Sequence, residues 1–186
     1  MKLLSRAARW LAVVAIAPVA GALLAAPVHA GAPEPEPQSE AGAHARSAIP
    51  TLCLNAHLAD LGWQGWRCGA GTWVVAGTTG QSRAMEALRI LFSDAGFMCA
   101  EAHLAGIGWQ GAVCGTAGQI IEVGTTGQAR QMEALRIYSS TASLCFDAHL
   151  ADVGWQGAVC AAAPGAVTRG TTGQSRRMEA VSLLAW

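Results

Sequence analysis

Lysine is nearly absent from this 186-residue chain, and charge of either sign is sparse. Charged residues make up 13% of the sequence, and eleven of the twelve basic residues are Arg. Beyond residue 30 there are nine Arg and no Lys against twelve Asp or Glu, a formal net charge of −3 with His neutral. Phosphate binding needs clustered basic side chains, and so does binding to anionic membrane surfaces. The composition therefore excludes nucleic acid as the expected partner and argues against an anionic membrane surface.

Long apolar runs are absent after the N-terminal region. The one such run, from Trp10 to Ala26, is about 17 residues long, which is the short limit for a helix that crosses a bilayer. Three basic residues precede it, and Val28-His29-Ala30 ends it with small residues typical of a cleavage site. We therefore interpret residues 1–30 as a signal peptide, with a transmembrane helix as the competing interpretation. No Cys follows closely enough for a lipoprotein anchor, so we expect a secreted protein, extracellular or associated with the cell surface, with no membrane span in the mature chain.

Apolar side chains are also scarce in residues 31–50, GAPEPEPQSEAGAHARSAIP, which contain four Pro. Such a segment cannot bury enough surface to offset the entropy of ordering, so we expect an extended, disordered linker. The remaining residues, 51–186, have the length of one ordinary domain.

That domain is built from three near copies of one unit. HLADLGWQG, at residues 57–65, recurs as HLAGIGWQG at 103–111 and HLADVGWQG at 149–157. Its Trp recurs every 46 residues, and GTTGQ follows in each copy, beginning at Gly77, Gly124 and Gly170. The units are 51–96, 97–142 and 143–186. Neither end has the atypical sequence of a solenoid cap, so we expect a closed body with pseudo-threefold symmetry. The letters that vary lie at a turn, where we expect sequence to matter least for the fold.

Each unit has the pattern of short strands. Residues 53–58 alternate between polar and apolar side chains, which is typical of a half-buried strand. The segment after GTTGQ, which includes MEALRI at 85–90, fits either a helix or a strand, and we favour the strand because it agrees with the rest of the unit. As a strand, it would place Glu86 on the face of Leu88 and Ile90. We therefore predict a single all-β domain of three repeats, β-prism-like or β-trefoil-like.

The order of these motifs resembles a known family. His-x4-Gly-Trp-Gln, then Gly-Thr-Thr-Gly-Gln, then Arg-x-Met-Glu-Ala resembles the ChW repeat, the clostridial hydrophobic repeat with a characteristic Trp, and all three units match. The resemblance implies a secreted or surface-attached three-repeat protein, here of a Streptomyces-like actinobacterium. It also implies a role in adhesion, carbohydrate attachment or protein–protein contact. It carries over no catalytic residue.

Six Cys form three Cys-x14-Cys pairs, one in each unit. Because the chain is expected to be exported, we predict disulfides rather than thiolate metal ligands. A Cys-His-Cys metal set is the alternative, although structural zinc usually has closer Cys spacing and a fourth ligand. The pairs favoured by the repeat are Cys53–Cys68, Cys99–Cys114 and Cys145–Cys160.

The Trp of each repeat has two interpretations. It could stack on a sugar ring through its flat apolar face, or it could anchor its unit's share of the core, which we favour. The repeated His shares the polar strand face, so we expect a structural or surface His there; a metal ion held by three His on the axis is the alternative. The candidate ligand-binding residues are Trp63, Gln64, Trp109, Gln110, Trp155, Gln156, His57, His103 and His149. Trp66 and Trp73 occur only in the first unit, and we expect them to form an exposed contact.

Glu86, Glu133 and Glu179 each follow the first Gly of GTTGQ by nine residues. A partly buried carboxylate needs donors, and we expect these to be the Thr hydroxyls or backbone N–H groups of that loop. Three equivalent carboxylates do not make the unlike pair that glycosidases use, and GTTGQ lacks the Lys of a phosphate-binding loop. We therefore expect no enzyme, no catalytic residue, no bound metal and no cofactor.

The sequence thus predicts a secreted, non-catalytic binding module. Its expected partner is an extracellular carbohydrate or a cell-wall or cell-surface ligand, bound through up to three equivalent sites. The alternative is a protein–protein adhesion module or a structural module of the envelope, with a surface protein as the partner.

Overall fold

The computed structural model describes residues 49–186, which form fifteen β-strands and no helix. The first unit contains β1 (Thr51–Leu58), β2 (Gly62–Trp63), β3 (Arg67–Ala70), β4 (Val74–Gly77) and β5 (Met85–Phe92). The second contains β6 (Phe97–Leu104), β7 (Gly108–Trp109), β8 (Val113–Thr116), β9 (Ile121–Gly124) and β10 (Met132–Ser139). The third contains β11 (Leu144–Leu150), β12 (Gly154–Trp155), β13 (Val159–Ala161), β14 (Gly165–Gly170) and β15 (Met178–Ala185).

Two sequence predictions fall on the earlier part of the chain. The predicted signal peptide, 1–30, lies outside the described residues, as do all but the last two residues of the predicted linker, 31–50. Within 49–186, no helix is long and apolar enough to span a membrane.

The strands form three antiparallel sheets of five strands, and each sheet combines two units. In the first sheet, β1 pairs with β2, β3 and β5, and β9 of the second unit pairs with the far side of β5. In the second sheet, β14 of the third unit takes the same place beside β10, and in the third sheet β4 of the first unit lies beside β15. Each unit therefore contributes one strand to the sheet of the preceding unit. The first unit contributes its strand to the sheet of the third, so the three sheets are linked in a closed ring. The predicted all-β fold of three repeats is confirmed, and its three sheets correspond to the β-prism-like alternative.

The strands run lengthwise along the prism. β3 pairs antiparallel with β1 in the first sheet, β4 pairs antiparallel with β15 in the third, and residues 71–73 join β3 to β4 as neighbours. The edge of the prism between these two sheets therefore runs parallel to the strands. Because the three units repeat this arrangement, β1, β6 and β11 run in the same direction and end at the same end of the prism. This motif end contains the turns 59–61, 105–107 and 151–153 and the GTTGQ-containing loops 78–84, 125–131 and 171–177.

The core lies between the three sheets and is filled by aliphatic, Met and Phe side chains. Leu54, Ala56 and Leu58 of β1 are buried, as the alternating pattern predicts. The segment after GTTGQ is a strand in every unit, so that prediction is also confirmed. The favoured placement of the repeated Trp in the core is wrong. Trp63 pairs directly with His57, and side chains of directly paired residues lie on the same face of a sheet, here the outer one.

Each predicted disulfide is present. Cys53 and Cys68 face each other across β1 and β3, with a Cα–Cα distance of 4.0 Å. The other two units repeat the arrangement with Cys99–Cys114 and Cys145–Cys160. Because all six sulfurs are bonded in pairs, the alternative Cys-His-Cys metal set is wrong.

The variable turn after the repeated His-Leu-Ala has one constrained position. Asp60, Gly106 and Asp152 all have positive φ, at 67°, 75° and 63°. Gly and Asp are among the residues that enter this left-handed region most readily. The expectation that sequence matters little at this turn is therefore wrong for its first variable letter.

Candidate functional site

A β-bulge places a Glu beside the repeated His of each unit. His57 pairs with Ala87, but the next residue, Leu58, pairs with Met85, so Glu86 is an extra residue in β5. The same shift occurs between β6 and β10 and between β11 and β15. A regular strand would turn Glu86 towards the core, whereas a bulge re-aims the side chain. The prediction that Glu86 shares a face with Leu and Ile is therefore wrong.

The re-aimed carboxylate lies against the His ring. Nδ1 of His57 is 3.2 Å from Oε2 of Glu86, and the corresponding distances are 3.2 Å for His103–Glu133 and 3.3 Å for His149–Glu179. The Glu side chains are only 5–9% exposed. Each Nδ1 is buried and has no aligned hydrogen bond among the described residues, so the pair is a close polar contact rather than a linear hydrogen bond. The three His therefore face their own Glu on three outer faces, not one another on the axis.

The GTTGQ loop of the next unit packs on this bulge. The backbone N–H of Thr125 donates to the backbone carbonyl of Glu86 at 2.9 Å, and the other two units repeat the bond through Thr171 and Thr78. At Gly124, whose φ is 98°, a Cβ would collide with the carbonyl oxygen of Glu86 and would lie 2.6 Å from a neighbouring Cα. Only Gly allows so close an approach. Each candidate site is therefore built from two units.

The predicted donors to the Glu carboxylate are wrong. The Thr N–H groups of the loop bond to the backbone carbonyl of the Glu and not to its carboxylate, and the Thr hydroxyls do not bond to it either. The hydroxyl oxygens of Thr78, Thr125 and Thr171 are buried without a hydrogen-bond partner among the described residues.

The residue two positions before each Glu differs between units and changes the charge around the carboxylate. In the third unit Arg177 contacts Glu179, with Nη2 at 3.0 Å from Oε1. In the second unit Gln131 donates to Glu133 at 3.4 Å, and in the first unit Ala84 occupies the position. The first unit thus has the carboxylate with the least polar support.

The repeated Trp packs against the repeated His in a T-shaped contact. Ring centroids are 5.2 Å apart for His57–Trp63 and 5.4 Å apart in the other two units, with interplanar angles of 77–80°. This T-shaped contact orients the indole relative to the His ring.

In two units an Arg covers one face of the indole. The guanidinium carbon of Arg89 lies 4.0 Å from the ring centroid of Trp63, and that of Arg136 lies 4.8 Å from Trp109. Both are within the range of a cation–π contact. The equivalent position in the third unit is Ser182, and Trp155 is 42% exposed.

The repeated Gln supports the fold beside the site. The side-chain oxygens of Gln110 and Gln156 accept the backbone N–H of Gly124 and Gly170, at 3.1 and 2.8 Å. Within residues 49–186, Gln64 makes the shared backbone bond to Ala56 but no matching side-chain bond. Two of the three candidate Gln residues thus hold the GTTGQ loop, while His and Trp come together on the outer face.

The outer face offers a shallow surface rather than an enclosed pocket. A cleft of about 50 Å³ lies on the second sheet, far below the roughly 300–1,000 Å³ of a typical small-molecule pocket. It is lined by Cys99, Ala100, Glu101, Ala112, Arg136 and Tyr138. In the part of the chain that the structure describes, no three His, Cys, Asp or Glu side chains gather as metal ligands. The site can stack and hydrogen-bond a ligand that lies along the sheet.

Sequence reasoning missed two features. The Glu depends on a bulge, and nothing in the alternation marks the extra residue. The Arg over the Trp had a visible signal: MEALR occurs in two units and MEAVS in the third, so Arg89, Arg136 and Ser182 differ at an otherwise repeated place.

A family model matches the chain in two regions that contain these motifs. The ChW family, described as clostridial hydrophobic W, matches residues 57–93 and 149–183, which lie in the first and third units. No curated protein and no solved structure matches the chain. The family match supports the resemblance in these two regions, both of which begin at the repeated His.

Proposed function

We propose that this chain is a secreted, non-catalytic binding module for carbohydrate on a cell surface or in a cell wall. The observation that carries the proposal is the outward Trp of each unit, which packs against a His that in turn contacts a buried Glu. A rigid aromatic ring on an open sheet suits the apolar face of a sugar ring. The neighbouring charged and amide side chains supply donors and acceptors for hydroxyl groups.

The placement of the three sites favours binding to an extended ligand. All three turn-and-loop sets lie at the motif end, so a polymer or a surface that covers this end can lie beside more than one unit. The first strand begins at Thr51, at the end of the prism opposite the motif end.

Export is part of the proposal. Three disulfides in a small domain are typical of oxidising, extracellular compartments.

The test is retention of the purified protein on insoluble polysaccharides: isolated cell walls, cellulose and chitin. Replacing Trp63, Trp109 and Trp155 together by Ala should abolish retention. Trp186→Ala is the matched control, because Trp186 is exposed but lies outside the repeated motifs. No retention on any of the three matrices would reject the carbohydrate proposal.

A second candidate is a protein-adhesion module, favoured by exposed apolar side chains. Trp66 and Trp73 are 41% and 46% exposed and occur only in the first unit, as predicted. The turns of the motif end add Leu61, Ile107 and Val153, each about half exposed. Crosslinking on intact cells should then recover one protein partner, and W66A/W73A should lose it while retaining any binding to polysaccharide.

A further inference from the structure

The three candidate sites differ in whether the Trp face is free. In the first unit Arg89 lies over Trp63, and the Arg is fixed by Glu122 of β9, with Nε 2.7 Å from Oε2. In the second unit Arg136 lies over Trp109 and is fixed by Glu101, with Nη1 at 3.1 Å. In both units the Arg side chain thus covers the face of the indole as a cap, and its guanidinium also contacts a carboxylate.

The third unit lacks the Arg of this cap and the Glu on the edge strand that holds Arg89, although Asp147 occupies the position of Glu101. Ser182 occupies the position of the Arg and is too short to reach across the indole. The residue opposite Ser182 on the neighbouring edge strand is Val75, where the first sheet has Glu122 opposite Arg89. Trp155 is the repeated Trp with the greatest exposure, at 42%, since the corresponding residues of the other units are only partly exposed.

Polar side chains share the outer face of the sheet with Trp155. Asp147 pairs directly with Ser182, and it lies two residues from His149, so all three face outwards with Trp155. One oxygen of Asp147 accepts the backbone N–H of Ala148 at 2.8 Å. The other carboxylate oxygen and the Ser182 hydroxyl remain to accept or donate to a ligand hydroxyl.

We infer that the third unit holds the open binding site, for a neutral, hydroxyl-rich ring such as an uncharged sugar, and that Arg89 and Arg136 close the other two sites. The ring stacks on Trp155, and its hydroxyls bond to Asp147 and Ser182. An anionic sugar is disfavoured there by the Asp147 carboxylate. This inference rests on the proposed carbohydrate function, and it names the site and the ligand class.

The test uses the full chain, ¹⁵N-labelled, titrated with cellohexaose and with chitohexaose while the indole N–H signals of the Trp residues are followed. The signal of Trp155 should shift and saturate, and those of Trp63 and Trp109 should not. Ser182→Arg should weaken binding by about tenfold, the factor that corresponds to one aromatic stacking contact. The fold should tolerate this change, because Arg occupies the equivalent position in both other units.

Two further variants make the result specific. Arg89→Ser should open the first site, so that the Trp63 signal also shifts. Ala162→Arg adds the same charge to an exposed position of the third unit away from Trp155, and it should leave binding unchanged.

The failures are distinguishable. Equal shifts of all three Trp signals, or unaltered binding by S182R, would overturn the inference and leave carbohydrate binding intact. No shift with either neutral oligosaccharide overturns the inference as well. If retention on cell walls, cellulose and chitin is then also absent, the proposed function fails with it.

Discussion

The carboxylate of Glu86 lies 3.2 Å from Nδ1 of His57, although a regular strand would put the two residues on opposite faces of the sheet. The bulge that allows this contact recurs in all three sheets, and each time the GTTGQ loop of the next unit caps its backbone. One local irregularity thus positions the His, orients the Trp and joins neighbouring units.

The first prediction concerns the support of the buried Glu. His57→Ala leaves Glu86 without its only close polar side-chain contact among the described residues, and it should lower the free energy of unfolding by about 1–3 kcal/mol. His149→Ala should lower it by less, because Arg177 still contacts Glu179. Both variants lose the same packing against Trp, so each serves as the other's control. Urea unfolding measures the difference, and a larger loss for H149A would contradict the prediction.

The second prediction concerns the contact between loop and bulge. Gly124→Ala should destabilise the fold by more than about 1 kcal/mol, because its Cβ would meet the backbone of Glu86 and Ala87. Gly127→Ala in the same loop is the control: its φ is also positive, at 68°, but no atom lies within 4 Å of its Cβ. Thermal unfolding of both variants separates the steric effect from the effect of φ. Equal losses would show that close approach is not the reason for Gly124.

The third prediction concerns the disulfides. Replacing Cys99 and Cys114 by Ser opens a loop of about 15 residues, and it should lower the free energy of unfolding by about 3 kcal/mol through unfolded-state entropy. Guanidinium unfolding of the variant and the parent gives this value. A thiol assay on the denatured, unreduced parent should detect no free thiol among residues 49–186. Unchanged stability in the double variant would exclude a stabilising role.

The fourth prediction concerns the variable turn. Asp60→Val should destabilise the domain by about 1–2 kcal/mol, because a β-branched residue is strained at a φ of 67°. Asp60→Gly should be close to neutral, since Gly occupies the equivalent position of the second unit with a φ of 75°. Matched thermal unfolding curves test this pair. If both variants were equally stable, backbone strain would not explain the choice of residues.

Much of the architecture followed from periodicity. The alternation of residues 53–58 set which side chains enter the core, and the 46-residue period set the number of equivalent units and the partner of each Cys. The placement of Trp63 did not follow, because the polarity of a Trp is ambiguous and only its pairing with His57 assigns it to the outer face.

The sequence by itself determined that this protein is a three-unit β domain with one disulfide in each unit, because periodic burial and repeated Cys spacing act locally and identically in each copy. Only the tertiary structure decided which side chains come together at each candidate binding site. The extra residue at Glu86, the strand that each unit lends to the preceding sheet, and the Arg over two of the three Trp all depend on how separate segments pack. The sequence shows Ser182 in place of Arg89 and Arg136, but contacts between segments far apart in the chain leave no period in the sequence, so only the folded protein shows that this position lies beside the repeated Trp.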